Sequence, residues 1–416
     1  MNSTRMNRMI GCLSLFAAAA MSACGGGSGS QALVDGDAEV GAEAEMSRAS
    51  ARVRYAVHAQ PDHARKGRGP QTEPEPVAGS ASGVDLTAAA PVSAPSPAPA
   101  PAPVIAAGST GMTTTYPVID TQKIPTGSPG VAVDQLRPTT EQPYPSDGSG
   151  NFRTVCDYSH MAFDDPIVYP GQFGRSHLHA FFGNTLTNAG TTAHTLSGSG
   201  NSTCRGGTIN RSAYWVPAFI DTKDGTPIKP LRLIAYYKTG GVAPSSINAI
   251  PPGLRMIAGD PTRSTPQQEG PINFKCINNA TGTGQGSKAV PNCLVGTETL
   301  WMTITFPQCW DGVNLDSPDH KSHMAYPSAG RCPLSHPIGL PEVAFNVLYE
   351  PIEANSMLRW RLASDTYDAS IPAGYSAHGD WFNGWRPEIM DAWVRGCDQA
   401  AKDCRAHLLG DGRTFY

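Results

Sequence analysis

All seven tryptophans and all but two of the ten cysteines fall between Phe152 and Tyr416. The two outside that span, Cys12 and Cys24, sit in the first 24 residues, so eight are left for the remainder: Cys156, Cys204, Cys276, Cys293, Cys309, Cys332, Cys397 and Cys404. An even number in an exported chain predicts four disulfides, and four cross-links limit the possible folds more than any local propensity does. Eight cysteines allow 105 pairings. Cys276 with Cys293 and Cys397 with Cys404 are close enough to suggest local bridges. Paired C-x-x-C motifs are missing, which argues against a cysteine–metal cluster.

Export follows from the first 24 residues. Arg5 and Arg8 precede an apolar run, Met9 to Ala20, that is short for a membrane span, and Met21-Ser22-Ala23-Cys24 follows. Small residues directly before Cys24 resemble a bacterial lipobox, in which the cysteine becomes the lipidated first residue of the mature chain, although Met21 stands where Leu is usual. The alternative is an ordinary signal peptide cut near the same place, leaving Cys24 free. The first reading predicts a membrane partner through a lipid anchor at Cys24, at the cell surface or on the periplasmic face of an outer membrane.

Residues 25–140 are rich in Ala, Gly, Ser, Pro and Thr and poor in aromatics, so burial cannot offset the entropy of ordering them. A disordered tether is expected there, stiffened by polyproline II from Pro95 to Pro103 at about 3.1 Å per residue. The cluster from Arg48 to Arg68 reads as solvated linker charge, with contact to anionic lipid or wall polymer as the alternative. Residues 141–416 then form one disulfide-stabilised extracellular domain. With a net charge of −4 and no long basic stripe in its C-terminal part, the chain is not expected to bind nucleic acid.

Short β-rich runs recur at Ser176 to Phe182, Ala213 to Asp221, Leu231 to Tyr237, Leu254 to Ala258, Leu300 to Phe306, Val343 to Tyr349 and Met357 to Leu362. Long Pro- and Gly-rich connections separate them. The pattern predicts a mainly β fold, an antiparallel, jelly-roll-like β-sandwich with long loops, disulfides and one C-terminal helix. That helix opens with Pro387, places Ile389, Met390, Trp393 and Val394 on one face and ends near Gly396. With neither βαβ alternation nor a G-x-G-x-x-G, P-loop or G-x-S-x-G motif, a nucleotide cofactor and an α/β-hydrolase site are not expected.

Three histidine-bearing segments carry the candidate chemistry. In Ser176-His177-Leu178-His179, strand alternation points both imidazoles to one face about 6 to 7 Å apart, a spacing that suits two ligands of one divalent transition metal or two hydrogen-bonded groups in a polar cleft. Asp316, Asp319, His320, His323 and Tyr326 form a second group, with His320 and His323 on one side of a turn and Asp319 able to orient an imidazole. His378 and Asp380 lie in a third, Tyr375 to Trp385, read as a loop. Convergence of the three on one cleft predicts acid/base or ligand roles for His177, His179, His320, His323 and His378, with Asp380 as orienter or base and Tyr326 as proton donor. Tyr214, Trp215, Trp310 and Trp385 are candidates for a sugar-stacking platform, with core packing as the other reading for any single ring. Asp165 is a candidate substrate-binding carboxylate beside His177, although Asp before Pro also starts turns.

The order of motifs is recognisable: Asp165-Pro166-Ile167-Val168, Ser176-His177-Leu178-His179, Tyr214-Trp215-Val216-Pro217, Met256-Ile257-Ala258-Gly259, Phe306-Pro307-Gln308-Cys309-Trp310-Asp311-Gly312, Asp319-His320-Lys321-Ser322-His323, Cys332-Pro333-Leu334-Ser335-His336-Pro337 and His378-Gly379-Asp380-Trp381-Phe382-Asn383-Gly384-Trp385. From Val155 to Cys397 the chain resembles the family catalogued as domain of unknown function nineteen-ninety-six. It departs at Trp381, where the family more often has Phe. The resemblance implies a secreted domain, sometimes found beside carbohydrate-binding modules, and supplies no reaction.

Three functions follow as expectations. One is an enzyme acting on extracellular polysaccharide through the histidine cleft. A glycosidase version would need two carboxylates about 5 to 9.5 Å apart, for which Asp165, Asp311, Asp319 and Asp380 are candidates. The others are a non-catalytic module that binds glycan or cell-wall polymer, and a metal-binding surface protein.

Overall fold

The computed structural model describes Val118–Gln267 and Pro271–Tyr416. The segments expected to be an export signal and a stalk, together with Cys24 and the arginine cluster, lie outside the described residues. No helix among the described residues is long and apolar enough to cross a membrane.

Ten strands build two sheets: β1 Asn151–Cys156, β2 Tyr158–Ala162, β3 His179–Gly183, β4 Ala213–Pro217, β5 Arg232–Lys238, β6 Arg255–Gly259, β7 Ile272–Asn278, β8 Glu298–Thr305, β9 Glu342–Tyr349 and β10 His378–Phe382. Five form an antiparallel sheet in the order β6-β10-β4-β3-β2. The others run β7-β8-β9-β5-β1, also antiparallel, and two-residue strands at each edge widen that sheet to eight.

Alternation along the strands sorts the apolar side chains into three layers. Between the sheets lie Ala180, Phe182, Tyr214, Val216 and Trp381 from one side, facing Leu233, Tyr237, Met302, Ile304, Phe345 and Val347 from the other. Outside the larger sheet, Val155, Ile234, Tyr236, Trp301 and Leu348 form a second cluster. Outside the smaller sheet a third contains Ile167, Phe181, Leu196, Trp215, Ile257 and Phe382. The expected antiparallel sandwich is present.

The folded unit starts earlier than residue 141. Ile119, Ile124 and Leu136 pack against the central core, Val131 exchanges backbone hydrogen bonds with Ser202, and Arg137 and Pro138 pair with Arg413 and Thr414. Low aromatic content concealed this segment, because its stability comes from backbone pairing with distant strands rather than from a core of its own. The helix, α1 Pro387–Trp393, is also as expected at its start, but it continues past Gly396 as a π-helical turn, Val394–Gln399. The run from Met357 is strand only at Trp360–Leu362, since Ser356–Arg359 is a 3-10 turn.

The eight cysteines form four disulfides: Cys156–Cys204, Cys276–Cys293, Cys309–Cys332 and Cys397–Cys404. Both suggested local bridges are among them. Cys156–Cys204 closes the longest loop, 48 residues, which contains β2, β3 and both histidines of the H-x-H motif. In the chain-entropy account the longest loop restricts the unfolded state most.

Beside the last disulfide, Asp398 is fully buried and neither carboxylate oxygen has a hydrogen-bond partner among the described residues. Burial pushes its pKa well above the ordinary 3.8. The folded protein therefore keeps a proton that the unfolded chain releases, so stability is complete below the ordinary value and falls as pH rises toward the folded one. Asp398→Asn should melt higher than the parent at pH 7 and no higher at pH 4, a difference that thermal melts across that range would detect.

Candidate functional site

The inner face of β10 points Trp381 into the core, so His378, Asp380 and Phe382 must point outward. The same alternation sends His179 and Phe181 of β3, and Trp215 of β4, to that outer face. Register aligns Ile257, Asp380, Trp215, Phe181 and His160 in one row across all five strands. In the next row, Gly259 opposes His378, and Pro217 and Ala162 flank His179. Gly, Pro and Ala project little bulk there, which lets His378 and His179 lean toward each other over Pro217. Gly259 is also constrained by space: at φ +87°, a Cβ would lie 2.5 Å from the Ala377 carbonyl oxygen and 2.9 Å from the His378 Cα.

Three imidazoles meet at this point. His177 Nε2 is 3.2 Å from His378 Nε2, and His179 Nε2 is 3.5 Å from the same atom. Backbone carbonyls occupy the opposite ring nitrogens: His179 Nδ1–H donates to Asp164 O at 2.9 Å, and His378 Nδ1–H donates to Ser376 O at 2.9 Å. With the proton held on Nδ1, each Nε2 of these two rings carries a lone pair directed into the cluster. Their 3.5 Å approach therefore has no proton to share while both rings are neutral.

Two carboxylates complete the group. Asp165, His179 and Asp380 offer ligand atoms within 4.8 Å of one another, as do the three histidines. Asp165 Oδ1 accepts the Ile167 and Val168 N–H groups at 2.8 and 2.9 Å, in the turn that lays residues 163–176 over the sheet. Asp380 Oδ2 lies 3.9 Å from His378 Nε2 and has no hydrogen-bond partner among the described residues. His179, His378, Asp165 and Asp380 are buried, while His177 is partly exposed and forms the open edge.

Burial dominates the electrostatics. It lowers the His179 pKa to about 3, aided by His378, and lowers the His378 pKa to about 4. His177 is also held well below its ordinary value by burial and by the other two rings. Asp380 is pushed well above the carboxylate range by burial and by Asp165, and Asp165 is raised by burial. Every shift disfavours the charged form, the signature of a polar cluster without a compensating charge.

The second predicted group divides. His323 is buried, its ring bonded to Ser317 Oγ at 2.9 Å and Arg255 O at 2.7 Å, and acts as a structural link between its loop and β6. His320, in the left-handed region at φ 58°, faces Asp316, whose carboxylate holds Nδ1 at 2.9 and 3.1 Å. Asp319, the residue expected to orient it, instead accepts hydrogen bonds from Ser317 and Ser322. Arg255 pairs with Asp316 and lies over the Phe382 ring, and His320 is close enough to Asp165 to influence it electrostatically, so this dyad stands at the rim of the cluster. Lys321 donates to Gly259 O at 2.7 Å and is close enough to disfavour charge on His378. Tyr326 instead donates its hydroxyl to Thr305 O on the larger sheet.

The aromatic platform is a correction. Tyr214, Trp215 and Trp385 are buried: Tyr214 bonds Tyr237 through their hydroxyls, and the Trp385 indole N–H donates to Tyr237 Oη. Trp215 forms part of the floor beside Asp380. Only Trp310 is partly exposed, its N–H donated to Asn314 O. Alternation cannot distinguish a core ring from a stacking ring when both faces of a sheet are covered. His378 groups with His177 and His179 as a third set of ring nitrogens, whereas the sequence paired only the first two as ligands of one metal, although His378-x-Asp380 repeats the period-two spacing of His177-x-His179.

Trp385→Ala should therefore cost about 3–5 kcal/mol of stability, as for any large buried ring. Trp310→Ala should cost about 1 kcal/mol, near one lost hydrogen bond. Denaturant unfolding of both variants would check the contrast.

No curated protein and no solved structure matches the chain. The sequence pattern of one family, described as Domain of unknown function (DUF1996), matches residues 165–385, more than half of the chain and nearly the whole site, from Asp165 through His378 and Asp380 to Trp385. The chain belongs to that family.

Proposed function

We propose that this protein is an exported, lipid-anchored enzyme acting on extracellular polysaccharide, with His177, His179, His378, Asp165 and Asp380 as its reaction centre. The observation that carries the reading is the convergence of three neutral imidazoles and two carboxylates at one partly open point. A fold gains no stability from burying so many uncompensated polar groups, whereas catalytic sites characteristically hold perturbed acids and bases together.

Export is supported by the basic and apolar N-terminal run, the small residues before Cys24 and the use of every later cysteine in a disulfide. A polymer substrate suits a rim of charged and hydrogen-bonding groups, with the His320–Asp316 pair near Asp165 and Lys321 near His378, and with His177 partly exposed. In this reading Asp380, whose burial favours the protonated form, donates a proton, while His320, oriented by Asp316, exchanges protons with the substrate or leaving group. Burial of Tyr214, Trp215 and Trp385 weighs against a glycan-binding platform as the main role. Nearly complete burial of His179 and His378 favours, as a second reading, a surface protein that holds a metal without turnover.

The test is a screen of neutral and uronate-containing envelope polysaccharides for new reducing ends or for unsaturated products. Asp380→Asn and His177→Ala should each lower turnover about 10²- to 10⁴-fold. A folded parent protein that cleaves none of these polymers, or Asp380→Asn with full turnover, would reject the enzyme reading.

A further inference from the structure

We propose that the Nε2 atoms of His177, His179 and His378 bind one transition-metal ion of the zinc class, with the Asp380 carboxylate facing the remaining coordination position. The inference concerns the same site but does not depend on turnover, because metal uptake can be measured without a substrate.

Distance is the first argument. Nitrogen ligands about 2.0–2.1 Å from a tetrahedral zinc stand about 3.3–3.4 Å from each other. The two Nε2 separations at His378, 3.2 and 3.5 Å, bracket that edge length. Imidazole donors suit zinc, copper, nickel or iron, whereas calcium and magnesium take oxygen ligands.

Lone-pair direction is the second. Metal-binding histidines usually donate the far ring N–H to a carbonyl or carboxylate, which fixes the tautomer and aims the other nitrogen. His179 and His378 both do this, toward Asp164 O and Ser376 O. The carbonyls come from different parts of the chain, so the two rings are oriented independently toward one point.

The third argument is the unpartnered oxygen. Asp380 Oδ2 is buried, lacks a hydrogen-bond donor among the described residues and lies 3.9 Å from His378 Nε2. A water or hydroxide bound to the ion would supply the missing donor, and the partly exposed His177 offers the way in. Three histidines with one solvent position is the arrangement of a catalytic rather than a closed structural zinc site.

The experiment uses the full, untagged chain with intact disulfides, stripped by a chelator and titrated with Zn²⁺ and, separately, Co²⁺. One ion per chain is expected, with the intense visible bands of four-coordinate cobalt and a higher melting temperature in the loaded protein. Loss of outer-shell partners alone weakens metal sites 10- to 100-fold, so His378→Ala and His177→Ala should each weaken binding by about 100-fold or more. The proposal is overturned if the parent takes up much less than one ion, or if His378→Ala binds as the parent does. Should the alanine variants fail to fold, the parent's cobalt spectrum decides: weak, six-coordinate bands overturn the proposal. Tight uptake without turnover on any polymer would reject the enzyme reading alone, and turnover by a parent protein that takes up no ion would reject this one alone.

Discussion

Trp381 and Gly379 determine where the site can be. The Trp381 ring lies between Tyr214 and Tyr237, with centroids 6.5 and 6.1 Å away, and a Cβ on Gly379 would approach Ile304 of the facing sheet to 3.0 Å. These contacts seat β10 closely on β8 and set its register. Since side chains alternate, the contacts that bury Trp381 also turn His378 and Asp380 outward. A slip of one residue would put a carboxylate and an imidazole into the apolar layer and expose the tryptophan, so packing of the inner face protects the geometry of the outer one.

Much of this was legible in local pattern. The period of two in His177-x-His179 announced a shared face, the even cysteine count announced disulfides, and strand-like runs separated by Pro and Gly announced a sandwich. Convergence on one cleft was expected, but which segments meet was not legible, because β3 and β10 are about two hundred residues apart and are brought together only by the strand order β10-β4-β3. His378-Gly379-Asp380 also reads as a loop, since Gly and Asp are poor strand formers. It is a strand because its neighbours β6 and β4 pair with it on both sides. His320 and His323 show the opposite failure: a spacing of three suggested a shared face, but the left-handed backbone at His320 separates them, one to the rim and one to the interior.

The two buried aspartates of the cluster differ in what surrounds them. Asp165 has its own turn to satisfy it, with two backbone N–H donors on one oxygen. Asp380 sits mid-strand, where backbone N–H groups are committed to the sheet, and has an oxygen left bare. An unpaired buried carboxylate is strongly unfavourable. Protonation removes most of that penalty, which is the direction in which its pKa moves.

Asp398 has both oxygens bare and the same direction of shift, yet it carries no comparable argument for a site. Among the described residues, no His, Cys or other carboxylate groups with it as a candidate ligand set, whereas Asp380 shares a set with Asp165 and His179 and faces His378. Burial alone thus identifies a group that is costly to ionise. Burial together with lone pairs aimed at one point, from rings whose other nitrogens are already occupied, identifies a place where a positive charge would be stabilised from several directions. A cation there would favour neutral imidazole as ligand and carboxylate as counter-charge, removing the penalty on Asp380 without disturbing the Nδ1–H bonds that hold His179 and His378 in position.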